Sequence, residues 1–343
     1  MAPKRITIQN IADACGLSRN TVSKVFNNRG NVPEATRRAV LEKAQELGYY
    51  PLPENMPHTE DVPAVRNIAL LTGSRPLNHH FGTFFITGFT DQICRAGYNL
   101  QLFEISPKEL KSLSLPPHLQ LKDTSGILGI ELFDKDYIKM LNIIGIPTIY
   151  VDSFSHSIYS ILQSDLICME NIASETDLTR RMIDAGAKTI GFVGDIKHCM
   201  SFEERWFGYC SAMRDAGLKP NKAFCILAED NASYGDPDWI LQQLDQMPRI
   251  PDGFACANDY LAISLMGALK KKGLSIPDDV MVTGFDGSPE SAVVEPALTT
   301  AYIPSTDIGR LTADLLLDRI ENPDRPFRRI HVKTTPVYRG TTR

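Results

Sequence analysis

Three long polar side chains, Arg19, Asn20 and Lys24, stand on one side of a short segment whose other side is apolar. In SRNTVSKVFN, Val22, Val25 and Phe26 recur at helical spacing and take the inward face, which leaves Arg19, Asn20 and Lys24 outward. These types share one chemistry. Arginine and lysine donate to O6 and N7 of guanine, and asparagine bonds adenine at N6 and N7 in a bidentate fashion, all in the major groove. The elements that must position them are readable on either side. Upstream, Ile8, Ile11, Ala12 and Cys15 form the apolar stripe of a first helix. Gly16 supplies a tight turn, and Ser18 stands where an N-cap should precede the second helix. Two short helices about such a turn form a helix-turn-helix; the plainer alternative is a surface helical hairpin with a solvated charged face. Pro33 at the first helical position opens a third helix, with Val40, Ala44 and Leu47 on one face and Gly48 closing it.

Charge is distributed to match. The 343-residue chain carries a net −5, yet residues 1–50 hold eight Lys and Arg against four Asp and Glu, while the remainder holds 28 against 37. A basic head on an acidic body suits a nucleic-acid-binding domain joined to something else. With 43% hydrophobic and 22% charged residues, the composition is that of a globular protein. Seven scattered cysteines with no CxxC spacing read as reduced thiols, and no metal site is expected. The N-terminus lacks an apolar core of the secretory kind. The best apolar run, Met140 to Val151, is short and broken by Asn142 and Pro147, so a cytoplasmic location is expected.

Residues 51–66 contain Pro51, Pro53, Pro57 and Pro63 and read as an extended linker after a 1–50 head. From Asn67 the pattern alternates strand and helix. Strands are expected at Ile68–Leu71, Tyr98–Ile105, Gly126–Ile130, Thr148–Val151, Thr189–Val193, Phe224–Ala228, Gly253–Ala257 and Val280–Thr283, with helices of ten to fifteen residues between most of them. This is an α/β body, and so many strands favour two Rossmann-like lobes over one sheet.

With this order of parts, the chain resembles the LacI/GalR family of transcription regulators. The resemblance spans nearly the whole length. It is densest in TIQNIADACGLSRNTVSKVFN and TRRAVLEKAQELGYYP, and continues in AGAKTIGFVGD, EERWFGY, CANDYLA, LSIPDDVMVTGFDG and PALTT. It implies a helix-turn-helix head and a periplasmic-binding-protein-like body whose lobes cross over. The first lobe would comprise about 67–162 and 308–320, the second about 163–286 and 328–339, within an effector-binding and dimerisation domain at 67–343. It also implies a homodimeric repressor on a near-palindromic DNA operator, controlled by a small polar effector such as a sugar, with no cofactor and no membrane. Without a leucine-heptad tail, a dimer rather than a tetramer is expected.

Arg19, Asn20 and Lys24 match the family's groove-reading positions. Thr7, Ser18, Thr21, Asn27 and Asn31 are candidate phosphate contacts, which set register without reading sequence; for Thr7 and Ser18 helix capping is the alternative. Beyond Tyr50 the chain departs from its relatives. Prolines and the acids Glu54, Glu60 and Asp61 occupy the place of a short helix bearing a groove-wedging leucine, and the usual leucine position is His58. Leu52 or Met56 could substitute, but the expectation is an operator bent less than in relatives, which a circular-permutation assay showing a sharp central kink would refute.

In the body, ligands of open α/β lobes bind at the carboxyl ends of strands. The resemblance places Asp286 of GFDG and Arg205 at the effector, the first accepting hydroxyls and the second gripping oxygens with its fork. A loop cap and a surface salt bridge are the respective alternatives. Asn258 and Asp259 close the strand Gly253–Ala257, and one of them faces the cleft. The loop Thr72 to Phe85 offers Ser74, Arg75, His79, His80 and Phe81. Adjacent histidines point apart, so they do not suggest a metal. Tyr234 and Phe81 are candidate stacking platforms for a sugar or base, with core or rim aromatics as the alternative. Glu170 and Asn171 occupy the family's interlobe Asp-Asn place. Arg205 and Arg75 leave a phosphorylated or carboxylated effector open.

Two rival readings have different content. An enzyme would be expected to show GxGxxG after the first strand, GxSxG, a P-loop or HExxH, and none is present. A regulator answering to a protein partner through a vestigial cleft would show no thermal shift with any sugar while still binding its operator.

Overall fold

The computed structural model describes residues 7–26, 32–47, 66–73, 80–155 and 162–343. Asn27, Asn31, Gly48, Ser74, Arg75, His79 and the linker at 51–65, with its wedge candidates Leu52, Met56 and His58, lie outside them. The chain divides into two compact units, Met1–Val65 and Arg66–Arg343.

The described residues of the first unit form three helices: α1 (Ile8–Cys15), α2 (Arg19–Phe26) and α3 (Glu34–Glu46). Thr7 and Asn10 form a reciprocal capping box at the start of α1. Gly16 ends it at φ +63°, a left-handed conformation glycine adopts without strain. The Leu17 amide then donates back to the Ala12 carbonyl at 2.9 Å, so the turn is fixed from both sides. Ile11, Ala12, Val22, Val25, Val40 and Ala44 form the buried core. Pro33 precedes the third helix rather than opening it. Its carbonyl accepts from the Arg37 amide at 2.9 Å, which is the cap position.

The second unit holds two parallel sheets. Strands β1 (Arg66–Thr72), β2 (Tyr98–Glu104), β3 (Thr124–Ile130), β4 (Thr148–Val151), β5 (Asp165–Met169) and β10 (Arg329–Val332) form the first, in the order β10-β5-β4-β3-β1-β2. Strands β6 (Ile190–Val193), β7 (Gly253–Cys256) and β8 (Met281–Thr283) form the second, and β9 (Thr300–Tyr302) pairs antiparallel with β11 (Thr335–Val337). Helices α4 (His80–Arg95), α5 (Pro107–Ser112), α6 (Lys135–Ile144) and α12 (Ser305–Glu321) accompany the first sheet. The second has α7 (Ile172–Asp184), α8 (Met200–Asp215), α9 (Pro237–Asp245), α10 (Asp259–Lys271) and α11 (Pro289–Val293). Strands buried on both faces, such as β3 and β5, are what a parallel sheet with helices on each side requires. Helices α4 and α12 cross in backbone contact. A Cβ built on Gly309 would meet the Phe85 carbonyl oxygen at 2.2 Å, and one on Gly88 the Thr306 carbonyl oxygen at 2.1 Å.

The chain passes between lobes three times, after β5, after β9 and after β10. The crossover after β9 falls in the expected interval between 286 and 308, whereas the other two come later than the sequence suggests. Asp165–Met169 and Arg329–Val332, expected in the second lobe, are neighbours in the first sheet, with Leu166 in register with Arg329. The reason is at the foot of β5. Asp165 is buried there and receives Arg319 Nε at 3.0 Å, Arg319 Nη2 at 3.1 Å and the Arg328 amide at 2.7 Å, which stitches β5, α12 and β10 together. No local pattern announces pairing between residues so far apart in sequence. The expected strand at Phe224–Ala228 reduces to a single bridge between Ile226 and Val193. Helix α5, not anticipated, is closed by a capping box between Ser106 and Glu109.

Candidate DNA-reading face and interlobe cleft

On the first unit, α2 carries Arg19, Asn20 and Lys24 exposed while Val22 and Val25 point into the core. Positions 19, 20 and 24 share one side of a 3.6-residue helix, so the three project together. Ser18 accepts from the Thr21 amide at 3.1 Å and its hydroxyl lies 2.9 Å from that of Thr21. Both hydroxyls thus serve the helix start, and Ser18 remains exposed. Thr7, also exposed, spends its side chain on the Asn10 box. The hydroxyls that cap α1 and α2 lie at the surface at helix N-termini, where backbone amides favour an anion.

In the second unit a cavity of about 450 Å³ opens at the carboxyl ends of both sheets. Its first-lobe wall comes from Gly73, Glu131 and Asp152, just past β1, β3 and β4, and from Met169, the last residue of β5. The second-lobe wall includes His198, Arg205, Asn258 and Asp286. Arg205 lies in the second turn of α8 and is only 2% exposed. Its Nε donates to Asn171 Oδ1 at 2.9 Å, and its Nη1 to the Ala257 carbonyl at 2.5 Å and to Asp286 Oδ1 at 3.4 Å. The guanidinium stacks on Phe285, 3.8 Å from the ring centroid. Among the described residues Nη2 has no hydrogen-bond partner, so a pre-aimed donor remains at the cavity wall. Asn171, in turn, is held by donating to the Met169 carbonyl and to Glu204 at 3.0 and 2.8 Å. It orients Arg205 instead of touching the cavity. Glu170 caps α7 through the amides of Ala173 and Ser174.

Asp286 sits at φ +116°, a conformation non-glycine residues seldom adopt. Burial raises its carboxyl to about 7 against the pull of Arg205, and nearby Asp259 adds to the rise. Asp259 is buried behind it, accepting from the Thr300 hydroxyl at 2.5 Å and the Ser288 amide at 2.7 Å, and burial lifts it to about 6. Of the pair closing β7, it is Asn258 that lines the cavity. Its Oδ1 caps α10 through the Leu261 amide at 2.9 Å.

Phe81 lines the cavity from the first turn of α4, not from a loop, stacked on Phe85 at 5.7 Å. Tyr234 does not line it. The ring is buried in the second-lobe core, 5.1 Å from Trp239, and its hydroxyl donates to the Ala228 carbonyl at 2.8 Å. A tyrosine in a polar stretch looks like a platform from sequence, but two carbonyls in reach of its hydroxyl let it be buried. The aromatic walls are instead Phe133 and Phe202, with His198 between them at 4.9 and 5.3 Å. Glu131 and Asp152 were not foreseen either, although each is the first residue past an expected strand, where the carboxyl-end rule directs attention. Both have positive φ, at 49° and 58°.

A second cavity of about 700 Å³ shares Phe81, Asn258 and Asp286 and is lined by α4, α10 and the crossover at 302–306. Exposed Phe84, Tyr260 and Tyr302 line it, and Val293, 81% exposed, lies close by on α11. It reaches no strand end of the first sheet. Among the described residues no cluster of His, Cys, Asp and Glu could hold a metal, and no helix is long and apolar enough to cross a membrane.

Comparison with known proteins agrees with both units. Residues 7–52 match the profile of the bacterial regulatory proteins of the lacI family, and residues 179–342 that of the periplasmic binding protein-like domain. The HTH-type transcriptional regulator GntR of Escherichia coli K12 is 28% identical over 327 residues, covering 93% of each chain. The structure of a transcriptional regulator CelR–cellobiose complex superposes with a TM-score of 0.72 at 25% identity, covering 98% of this chain and 100% of that one. A lac repressor dimer bound to operator and an anti-inducer has the same fold, with a TM-score of 0.68 at 20% identity over 99% of each chain. A head matched by the lacI-family profile, followed by a periplasmic-binding-protein-like body, is the arrangement of the lacI-type DNA-binding transcription regulators to which this chain is similar over nearly its whole length.

Proposed function

We propose that the protein is a repressor that binds a near-palindromic operator as a homodimer and is controlled by a sugar or sugar derivative in the 450 Å³ interlobe cavity. The observation that carries this reading is Arg205. A guanidinium held in place by three bonds, with one nitrogen left open at the cavity wall, is a donor aimed in advance at a ligand oxygen. CelR, whose complex contains cellobiose, supports a sugar. Glu131, Asp152 and Asp286 accept ligand hydroxyls, while Phe81, Phe133 and Phe202 offer ring faces.

Arg19 and Lys24 read guanine and Asn20 adenine; Thr7, Ser18 and Thr21, with Asn27 and Asn31, hold phosphates. One head contacts too few bases for specificity, so two must act together. The face bearing Phe84, Tyr260, Tyr302 and Val293 fits the second copy, because a soluble chain seldom leaves such residues grouped in water. The ligand acts by favouring one lobe arrangement, which changes how the paired heads meet DNA. The chain works in the cytoplasm, as the 1–50 head, the 51–66 linker and the 67–343 body together imply, and carries out no catalysis.

A thermal-shift and calorimetric screen of sugars against the full chain tests the assignment. At least one sugar should raise the melting temperature of wild type, and R205K should abolish the rise while retaining operator binding. Unchanged binding by R205K would remove the cavity from the account.

A further inference from the structure

The aim of Arg205 rests on one buried amide. Asn171 is 1% exposed, and its Oδ1 accepts from Arg205 Nε at 2.9 Å. An asparagine amide has nearly the same shape at either end, so its partners decide which end faces where. Turned over, Asn171 would set its NH2 against the Arg205 N–H, donor against donor. The guanidinium would then lose the bond that holds its inner edge.

Three acceptors hold the NH2 end: the Met169 carbonyl at 3.0 Å, Ser201 Oγ at 3.3 Å and Glu204 Oε2 at 2.8 Å. Glu204 makes the shortest of these bonds and is the charged acceptor, so its bond is the strongest of the set. An ionised carboxylate only accepts, and it therefore rejects the inverted amide. Glu204 and Arg205 are adjacent on α8, yet they grip opposite ends of the same side chain. The other carboxylate oxygen, Oε1, lies 3.6 Å from His331 Nε2 on β10. That strand pairs with β5, His331 standing in register with Cys168 just before the crossover that carries Asn171. Glu204 is thus seated between the ends of two neighbouring strands of the first sheet.

Resting on the sugar-sensor reading above, we infer that Glu204 is a positioning residue for the effector: it fixes the Asn171 amide, and the amide aims Arg205 at the cavity. Among the described residues Glu204 does not line the cavity, so it acts through its neighbour.

The test compares E204Q, which keeps an oxygen for Asn171 to donate to, with E204M, which keeps the volume and removes the acceptor. In the full-length chain with isotope-labelled arginine, the Arg205 Nε–H resonance is assigned by its loss in R205K, and its exchange with water is measured. Exchange should be at least tenfold faster in E204M than in wild type and near wild type in E204Q. Calorimetry with glucose, galactose, ribose and cellobiose should show the sugar that binds wild type at least tenfold weaker in E204M and within threefold in E204Q. Urea midpoints check folding, and if E204M does not fold, E204A takes its place. Adding E204M to N171L should not speed exchange beyond N171L alone, because the amide through which Glu204 acts is already gone. Wild-type exchange in E204M overturns the inference, as does E204Q behaving like E204M or a further gain in exchange on the N171L background. Faster exchange in E204M, with no sugar binding to wild type, supports the positioning role and counts against the sensor reading instead.

Discussion

At the scale of the residue, charge and burial make the sharpest predictions. Glu175 on α7 is fully buried, accepts only from the Thr179 hydroxyl at 3.0 Å, and burial raises its carboxyl to about 8. Between about pH 4.5 and 8 the folded chain therefore keeps a proton that the unfolded chain has released, so stability declines as pH rises through that window. The full effect is roughly 5 kcal/mol at most. E175Q should flatten the decline measured by urea unfolding at pH 5 and pH 8, leaving the smaller same-sign contributions of Asp259 and Asp286; an unchanged slope would contradict it. Asp165 has the opposite sign. Burial opposes its ionisation, but the bonds from Arg319 and Arg328 win and hold it below the usual carboxylate range. Its contribution is present at neutral pH and is lost as pH falls below the ordinary carboxylate value. D165N leaves Arg319 buried without its counter-charge, and a loss of about 3–5 kcal/mol in unfolding free energy is expected.

At the scale of the element, what was legible in the sequence was local. The capping at Ser18, the Gly16 turn and the inward Val22 and Val25 are all set by neighbours within one or two helical turns, and all three can be read from residue order. The same holds for most strands of the body. What could not be read depended on distant partners. The seat of Asp165–Met169 in the first sheet is decided by Arg319 and Arg328, more than 150 positions away. Tyr234 is a core residue because carbonyls at Ile226 and Ala228 satisfy its hydroxyl. Arg205 and Asp286 were found through the family motifs, whereas Glu131 and Asp152 needed the strand ends to be seen converging. The contact of α4 with α12 is likewise invisible locally, since it shows only as glycines at 88 and 309. G88A should push α12 off the first sheet and cost about 1–3 kcal/mol, read as a lowered denaturation midpoint. A midpoint equal to wild type would mean that the helices separate without penalty.

At the scale of the whole molecule, an acidic chain binds a polyanion because its positive charge is gathered at one end. Phosphate contacts supply affinity and fall away with salt, whereas base contacts supply preference, the part proposed for Arg19, Asn20 and Lys24. Arg19→Ala should cost ~1–3 kcal/mol on the cognate site and relax the requirement at one base pair of each half-site. Equal loss on cognate and random duplex would make Arg19 a backbone contact. The most direct measurement is selection of binding sites from a random duplex pool at physiological salt, followed by titration of the winner against scrambled DNA. Recovery of an inverted repeat, bound at least a thousandfold more tightly than scrambled duplex, is the predicted result. A pool that yields no two-fold symmetric sequence, with equal affinity for all duplexes, would contradict the reading of α2 as a paired groove reader.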